Sequence, residues 1–335
     1  MQDPPSVLIR GGGSIGTTHA RVLTQRLGVT DLAVWPVRER AAGDTGLGEA
    51  RVVGQHAGTD AMPAVVVVAT DSGRHVCDTY EAIDRGARVV LVEKPVALTA
   101  APLAALRRHA EQRGSLVFGA APLRFRAALQ AFRHSLPQVG TVHAVDVVCR
   151  SYLPTWRPGR DHRLTYSARA DEGGVLRDLI HEVDYAVWLF GPPSSVLART
   201  RNTGRLDVQA EELAHVLWAV PGGAEVTVQL DYISPVTSRT LTAHGDGGRL
   251  HWDGLGHTVT WTAAGRPAEV THYPDDHQAD AVTARQDAAL LALVDGGTGE
   301  VLPTLAEAEL AIAICDAARE SALHGGASDV TAVTP

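Results

Sequence analysis

Long apolar runs are missing from this chain of 335 residues. The longest, Ala288 to Val294, is far too short to cross a bilayer. The opening residues, Met1-Gln2-Asp3-Pro4-Pro5-Ser6, lack the positive flank and apolar stretch of a secretion signal, so a cytoplasmic location is the expectation. Cysteine is scarce: Cys77, Cys149 and Cys315 are far apart and odd in number, which excludes a disulfide framework. Each has an apolar neighbour and is expected to be buried and inert. There is no surplus of positive charge either. A net charge of -8 argues against a general nucleic-acid-binding surface, while leaving room for a local basic pocket. Internal repeats and low-complexity tracts are absent.

What is present is the composition of a globular protein, 45% hydrophobic, at a length that usually divides into two domains. Up to about residue 122, short apolar runs alternate with helical patterns. Strands are expected at Val7-Leu8-Ile9, Leu32 to Trp35, Ala64 to Ala69, Val89 to Val92 and Leu116 to Phe118. Helices are expected after Gly13, over Arg74 to Arg85 and over Ala101 to Arg113. This alternation predicts an α/β Rossmann domain, a doubly wound parallel sheet, over residues 1–122. Residues 123–335 read differently. Val142 to Val148, Glu225 to Leu230, Leu241 to Ala243 and Thr258 to Trp261 alternate like half-exposed strands. They predict an α+β domain with a large, mostly antiparallel sheet. A long helix is expected over Val175 to Phe190. Another runs from about 305 to 323, opened by a Thr304/Glu307 capping box.

Gly11-Gly12-Gly13-Ser14-Ile15-Gly16 matches G-x-G-x-x-G between the first strand and the first helix. In that setting it predicts a dinucleotide pyrophosphate on the helix N-terminus. Gly11 permits the turn, Gly13 the approach of phosphate, and Gly16 close helix–strand packing. The acid that usually holds the adenosine ribose at the end of the second strand is missing. That strand runs on as Pro36-Val37-Arg38-Glu39-Arg40. Arg38 or Arg40 would suit a 2′-phosphate, which favours NADP over NAD; the alternative is that both arginines are simply solvated.

Leu91-Val92-Glu93-Lys94-Pro95 ends a strand at the ligand-binding edge of the sheet, where two charges call for a site. Together with the glycine loop and Ala69-Thr70-Asp71-Ser72-Gly73-Arg74-His75, it resembles the Gfo/Idh/MocA family of NAD(P)-dependent oxidoreductases. His19, Arg124-Phe125 and Gly173-Gly174 leading to Asp178, His181 and Asp184 extend the likeness across nearly the whole chain. The resemblance implies hydride transfer between nicotinamide and an alcohol/ketone carbon of a sugar-like substrate. It assigns catalysis to Lys94, Asp178 and His181. It adds Thr70, His75, Glu93 and Lys94 to the cofactor contacts read above, Gly11, Gly13, Ser14, Ile15, Gly16 and Arg38. It also implies a cis Lys94–Pro95 peptide and a homo-oligomer, dimer or tetramer, formed through the C-terminal sheet.

The chain departs from the family pattern in three places. Asp178 and His181 are three residues apart rather than four, with Glu182 at the fourth. The third glycine of the second signature is Glu172. The asparagine before Arg124-Phe125 is absent. On a helix Asp178, His181, Glu182 and Tyr185 share a face, and His181 is favoured over Glu182 as the acid/base. Lys94 would then stabilise charge on the reacting oxygen.

Between Arg150 and Arg177 lie Arg150, Arg157, Arg160, Arg163, Arg169 and Arg177 in an otherwise acidic chain. Arginine forks suit carboxylates and phosphates. The expectation is an anionic, possibly nucleotide-linked sugar from a biosynthetic pathway, met by Arg124, Tyr152, Trp156, Arg157, Arg163, Tyr166, Asp178 and His181. Ion pairs to Asp161, Asp171 or Glu172 are the alternative use of these arginines. No metal site is expected: His181-Glu182-x-Asp184 and Asp275-Asp276-His277 lack ligand spacing. Competing functions on the same scaffold are an NAD-dependent glycosidase and a non-catalytic dinucleotide-sensing regulator.

Overall fold

Val65–Val68 is buried along its whole length, as a strand covered on both faces must be. It is β4 of a parallel sheet that also contains β1 (Val7–Arg10), β2 (Leu32–Trp35), β3 (Arg51–Val52), β5 (Val89–Val92) and β6 (Leu116–Gly119). The order β3-β2-β1-β4-β5-β6 is the doubly wound arrangement. The helices α1 (Ser14–Gln25), α2 (His75–Asp84) and α3 (Leu103–Arg113) alternate with these strands. The computed structural model describes residues 5–37, 50–52 and 63–331. Arg38 and Arg40, the arginines expected near a 2′-phosphate, lie outside the described residues.

The chain divides into two units. The first is drawn from residues up to Phe125 and from Gln278–Glu309. The sequence reading cut the chain once, at 122/123; the structure instead brings a late segment back to the first unit. The reason is apolar burial: Val282, Leu290, Leu293 and Leu302 join Ile9, Leu23, Val34, Val67 and Leu91 in one core. Within this segment the helix Ala279–Ala292 packs on α1, and Arg21 pairs with Asp280 at 2.7 Å.

The second unit takes Arg126–His277 and the residues from Leu310 onward. It begins with α4 (Ala127–Ser135), whose first amides are accepted by buried Asp276. Its main sheet adds β7 (Val142–Tyr152), β8 (Ser195–Arg201), β9 (Leu213–Ala219), β10 (Glu225–Asp231) and β11 (Ile233–Gly245). The remaining strands are β12 (Gly248–Asp253), β13 (Thr258–Ala263), β14 (Glu269–His272) and β15 (Ser328–Asp329). Nine strands run in the order β14-β13-β12-β11-β7-β10-β9-β8-β15, antiparallel except for the β7–β10 pair. Along β7 alternate residues Val145, Val147 and Cys149 are buried, so one face carries this unit's core.

The helix expected over Val175 to Phe190 is broken. It forms α5 (Val175–Asp178) and α6 (Ile180–Phe190), with Leu179 out of helical geometry at φ -102°, ψ 31°. The helix of the returning segment, Ala279–Ala292, is α7. The closing helix α8 runs Leu305–His324. The capping box is in place: Thr304 N–H and hydroxyl both donate to Glu307 at 2.9 Å, and Glu307 N–H donates back at 3.3 Å. Cys149 and Cys315 are buried as expected. Cys77 is exposed, because α2 turns that position outward. Among the described residues no helix is long and apolar enough to cross a membrane.

Candidate active site

In the first unit, β1 leads into a turn that only glycine permits. Gly11 has φ +114°, and a Cβ there would stand 2.4 Å from the Ala69 carbonyl oxygen. A Cβ on Gly16 would stand 2.2 Å from the Gly11 oxygen, so α1 can start this close to β1 only without one. Gly13 is different: a Cβ there would meet no protein atom within 4 Å. The space beside it is open, and α1 begins with no side-chain cap and no acid in its first turn. Its free amides and positive dipole end face that space, with Ser14 and Ile15 exposed at its edge. These residues fit a dinucleotide pyrophosphate.

Thr70 and His75 frame the neighbouring strand end. The Thr70 hydroxyl donates to Asp78 at 2.8 Å. The His75 ring is buried and bridges two carbonyls, Pro95 at 2.8 Å and Thr70 at 3.0 Å. Both ring nitrogens are thereby engaged with backbone, so His75 clasps the strand ends together. Lys94 is half-buried at the end of β5, and the Lys94–Pro95 peptide is cis. Lys94 is also the only lysine in the chain, which otherwise carries 29 arginines.

Glu93 turns inward. Its Oε1 lies 3.1 Å from Nε2 of His19, and its Oε2 accepts the Lys94 N–H at 3.2 Å. The other His19 nitrogen, Nδ1, meets both carboxylate oxygens of Asp287 at 2.9 and 3.0 Å. Burial alone would lower the His19 pKa, but Asp287 and Glu93 overcome it and hold the ring up at about 10. Burial would likewise raise Glu93; its hydrogen bond and ion pair with His19 hold it below the ordinary range.

Arg124, expected at the substrate, is almost wholly buried and paired with Glu307 at 2.9 Å. A buried guanidinium needs such a partner, which commits this side chain to the scaffold of its own unit.

In the second unit the break at Leu179 redistributes the residues expected to share one face. Asp178 is buried at the end of α5 and accepts the Tyr232 hydroxyl at 2.5 Å. Tyr166 also hydrogen-bonds Asp178. Burial, then the Asp178 charge, pushes both phenols above their usual range, so they stay neutral donors. Glu182 goes elsewhere: it is fully buried and accepts Arg239 Nε at 2.7 Å. His181 is half-buried at the start of α6.

The arginine-rich loop divides into two groups. Arg163 forks onto Asp161 at 2.7 to 3.1 Å and reaches Asp207; Arg169 pairs with Glu172; Arg150 pairs with Asp231 at 3.3 Å. Arg177 donates to the Ala170 and Gly173 carbonyls. Ion pairing to the loop's own acids, the alternative reading, therefore holds for two of the six, Arg163 and Arg169, while Arg150 pairs outside the loop. Arg157 and Arg160 are exposed and have no carboxylate partner among the described residues. Arg157 lies over the Tyr166 ring at 5.1 Å. Both arginines line a small cavity with Leu153, Trp156, His162 and Thr165, and Trp156 packs edge-on to Tyr232 at 5.3 Å. Tyr152 is half-buried at the end of β7.

Sequence reading missed Asp287, Tyr232 and Arg239, which lie far along the chain from the groups they hold. One usable signal was available, the uniqueness of Lys94.

Residues 6–120 match the family model for the oxidoreductase family with an NAD-binding Rossmann fold. Residues 137–251 match the model for the GFO/IDH/MocA C-terminal domain. No curated protein matches. Among solved structures, an oxidoreductase from Agrobacterium radiobacter in complex with NAD+, L-tartaric acid and magnesium is 19% identical, with TM-score 0.81 and 98% of each chain covered. A putative myo-inositol dehydrogenase from Sinorhizobium meliloti 1021 is 20% identical, with TM-score 0.77, covering 98% of this chain and 100% of that one. GenD2 from gentamicin A biosynthesis, in complex with NAD, is 23% identical, with TM-score 0.80 and 98% and 97% coverage. At these identities the likeness is one of fold. Matched by both family models, the chain belongs to the Gfo/Idh/MocA family of oxidoreductases and carries its nicotinamide-dinucleotide-binding Rossmann domain.

Proposed function

We propose that the protein is an NAD(P)-dependent dehydrogenase or reductase acting on a carbinol/ketone carbon of an anionic, sugar-like substrate. The observation that carries this reading is Lys94. A chain that places arginine at 29 positions keeps one lysine, beside the strand ends that frame the glycine loop. Arginine is a permanent planar cation; lysine is a compact donor that can also yield a proton. The position therefore favours an amine, as a reacting oxygen needs.

The nicotinamide, when bound, supplies or accepts the hydride. On this reading Lys94 hydrogen-bonds the reacting oxygen and stabilises the negative charge that develops there. His181 moves the proton, and Asp178, held by Tyr166 and Tyr232, orients the substrate. Arg157 and Arg160 meet its anionic group, and Trp156 offers an apolar face to a sugar ring. The neighbours, among them the putative myo-inositol dehydrogenase and a levoglucosan dehydrogenase in complex with NADH, support a sugar or cyclitol.

NADP is the cofactor we favour. A cavity of about 300 Å³ is lined by Arg10, Trp35, Val37 and Arg74 at the end of the second strand. Around it Arg10, Arg74 and Arg85 gather on Asp78 and Glu81. Guanidiniums grouped at this strand end support a 2′-phosphate. Titration with NADPH and NADH tests it: tighter NADH binding would reverse the assignment.

Turnover is tested by nicotinamide absorbance with neutral cyclitols and sugars, sugar acids and nucleotide-linked sugar acids. Lys94→Ala is expected to lower kcat/KM roughly 100–1,000-fold, as loss of a transition-state donor does. Wild-type turnover in that variant would sink the reading.

A further inference from the structure

Glu93, His19 and Asp287 form a buried chain within the first unit. His19 and Asp287 are fully buried, and Glu93 is 8% exposed. Both nitrogens of the His19 ring face carboxylate oxygens. A neutral imidazole would aim a lone pair at one of them, so the geometry requires the doubly protonated ring. Charges then alternate from Asp287 (negative) through His19 (positive) and Glu93 (negative) to Lys94 (positive). The Lys94 ammonium is among the charges that stabilise ionised Glu93, and the Lys94 backbone N–H donates to Glu93 Oε2.

Stability alone does not account for this arrangement. Buried ionic groups are often replaceable by apolar side chains of equal volume with no loss of stability. The chain is instead built to fix geometry. Asp287 belongs to α7, and the residues beside it hold that helix in register: Gln286 accepts the Ala121 N–H at 2.9 Å, and Arg285 donates to the Phe125 carbonyl at 2.7 Å. His19 belongs to α1, the helix that starts at the glycine loop. The chain therefore ties the phosphate-loop helix to the strand end that bears the only lysine.

We propose that Asp287 is a positioning residue for Lys94, acting through His19 and Glu93 to fix the carboxylate against which the lysine is set. This rests on the reading of Lys94 as the group that meets the reacting oxygen. Asp287→Asn would leave His19 with one carboxylate in place of two and loosen Glu93. Misplacement of a reacting group by about 1 Å can lower turnover by roughly 100-fold.

The single lysine gives a direct test. Reductive methylation with ¹³C-formaldehyde labels Lys94 and the N-terminal amine and no other amine, and the N-terminal signal is an internal control. In folded Asp287→Asn and His19→Gln, the Lys94 methyl resonance is expected to move from its wild-type position while the N-terminal resonance stays. Asp287→Glu should restore it in part. In unlabelled protein kcat should fall between 10- and 100-fold with KM little changed, and Asp287→Glu should recover part of that loss. A structural role alone would lower the melting temperature and leave both the resonance and kcat as in wild type; that result overturns the proposal. If Asp287→Asn does not fold, His19→Gln carries the same two readouts. The two readings fail separately. Full turnover in Lys94→Ala removes the catalytic reading and with it the proposed purpose of the chain. An inactive Lys94→Ala beside a wild-type Asp287→Asn removes only the positioning role.

Discussion

The two units hold the carboxylates proposed to serve the site by opposite means. In the first, Glu93 is gripped by a charged ring that is itself gripped by Asp287. In the second, Asp178 is gripped by the neutral hydroxyls of Tyr232 and Tyr166. A charge clamp fixes position and leaves an ionised group beside Lys94. A pair of hydroxyl donors satisfies a carboxylate without adding countercharge. The first arrangement suits an element that must hold a donor steady. The second suits a group that must accept a hydrogen bond from whatever binds next to it.

The sharpest break in this comparison is at the glycine loop, which belongs to the first unit. Gly11→Ala should lower dinucleotide affinity by at least roughly 100-fold, since both φ +114° and the 2.4 Å approach to Ala69 oppose a Cβ. Fluorescence titration with NADPH reads it. Removing a donor from the second unit should cost less: Tyr232→Phe is expected to reduce kcat/KM about tenfold, because a buried carboxylate loses one hydrogen bond worth roughly 1.5–3 kcal/mol. Cofactor affinity should be unchanged in that variant, and a loss of it would erase the contrast.

Smaller still, replacing Arg157 and Arg160 together by alanine should raise KM for an anionic substrate roughly tenfold, the size of one charge-assisted contact. Neutral sugars should be unaffected, which a side-by-side KM series checks. The mildest probe is pH. The folded pKa of His19 lies at about 10, above its ordinary 6.5, so its protonated form stabilises the native state fully below 6.5. That contribution declines as pH rises and is gone above about 10. The phenols of the second unit, raised above their ordinary value of 10, lose no proton in that range. Melting temperatures should therefore fall between these limits in wild type, and fall less in His19→Gln.

Much of the fold was legible because the signals are local. Four-residue apolar runs such as Val65–Val68 and Val89–Val92, and the Thr304/Glu307 cap, announce themselves within a few residues. The glycine loop and Glu93-Lys94-Pro95 were legible for the same reason. The break at Leu179 was not, since neither glycine nor proline marks it. The partners of the site residues were also hidden. Asp287 sits in an alanine-rich helix 268 positions from His19, and nothing near it in sequence says that it faces an imidazolium. Tyr232 is 54 positions from Asp178 and is the single residue between β10 and β11. Pairing of this kind is decided by topology, which strand and helix periodicity leaves open. The same holds for the arginines: their clustering was visible, but not which of them the loop's own acids would claim.

The return of Gln278–Glu309 to the first unit has a consequence for synthesis. Chains emerge from the ribosome N-terminus first, and domains generally fold as they emerge. Here the six strands of the parallel sheet, complete by Gly119, must wait for α7 to be made before His19 finds its second carboxylate and the core gains Leu290 and Leu302. The nucleotide-binding unit is thus begun first and completed only after most of the second unit has been made.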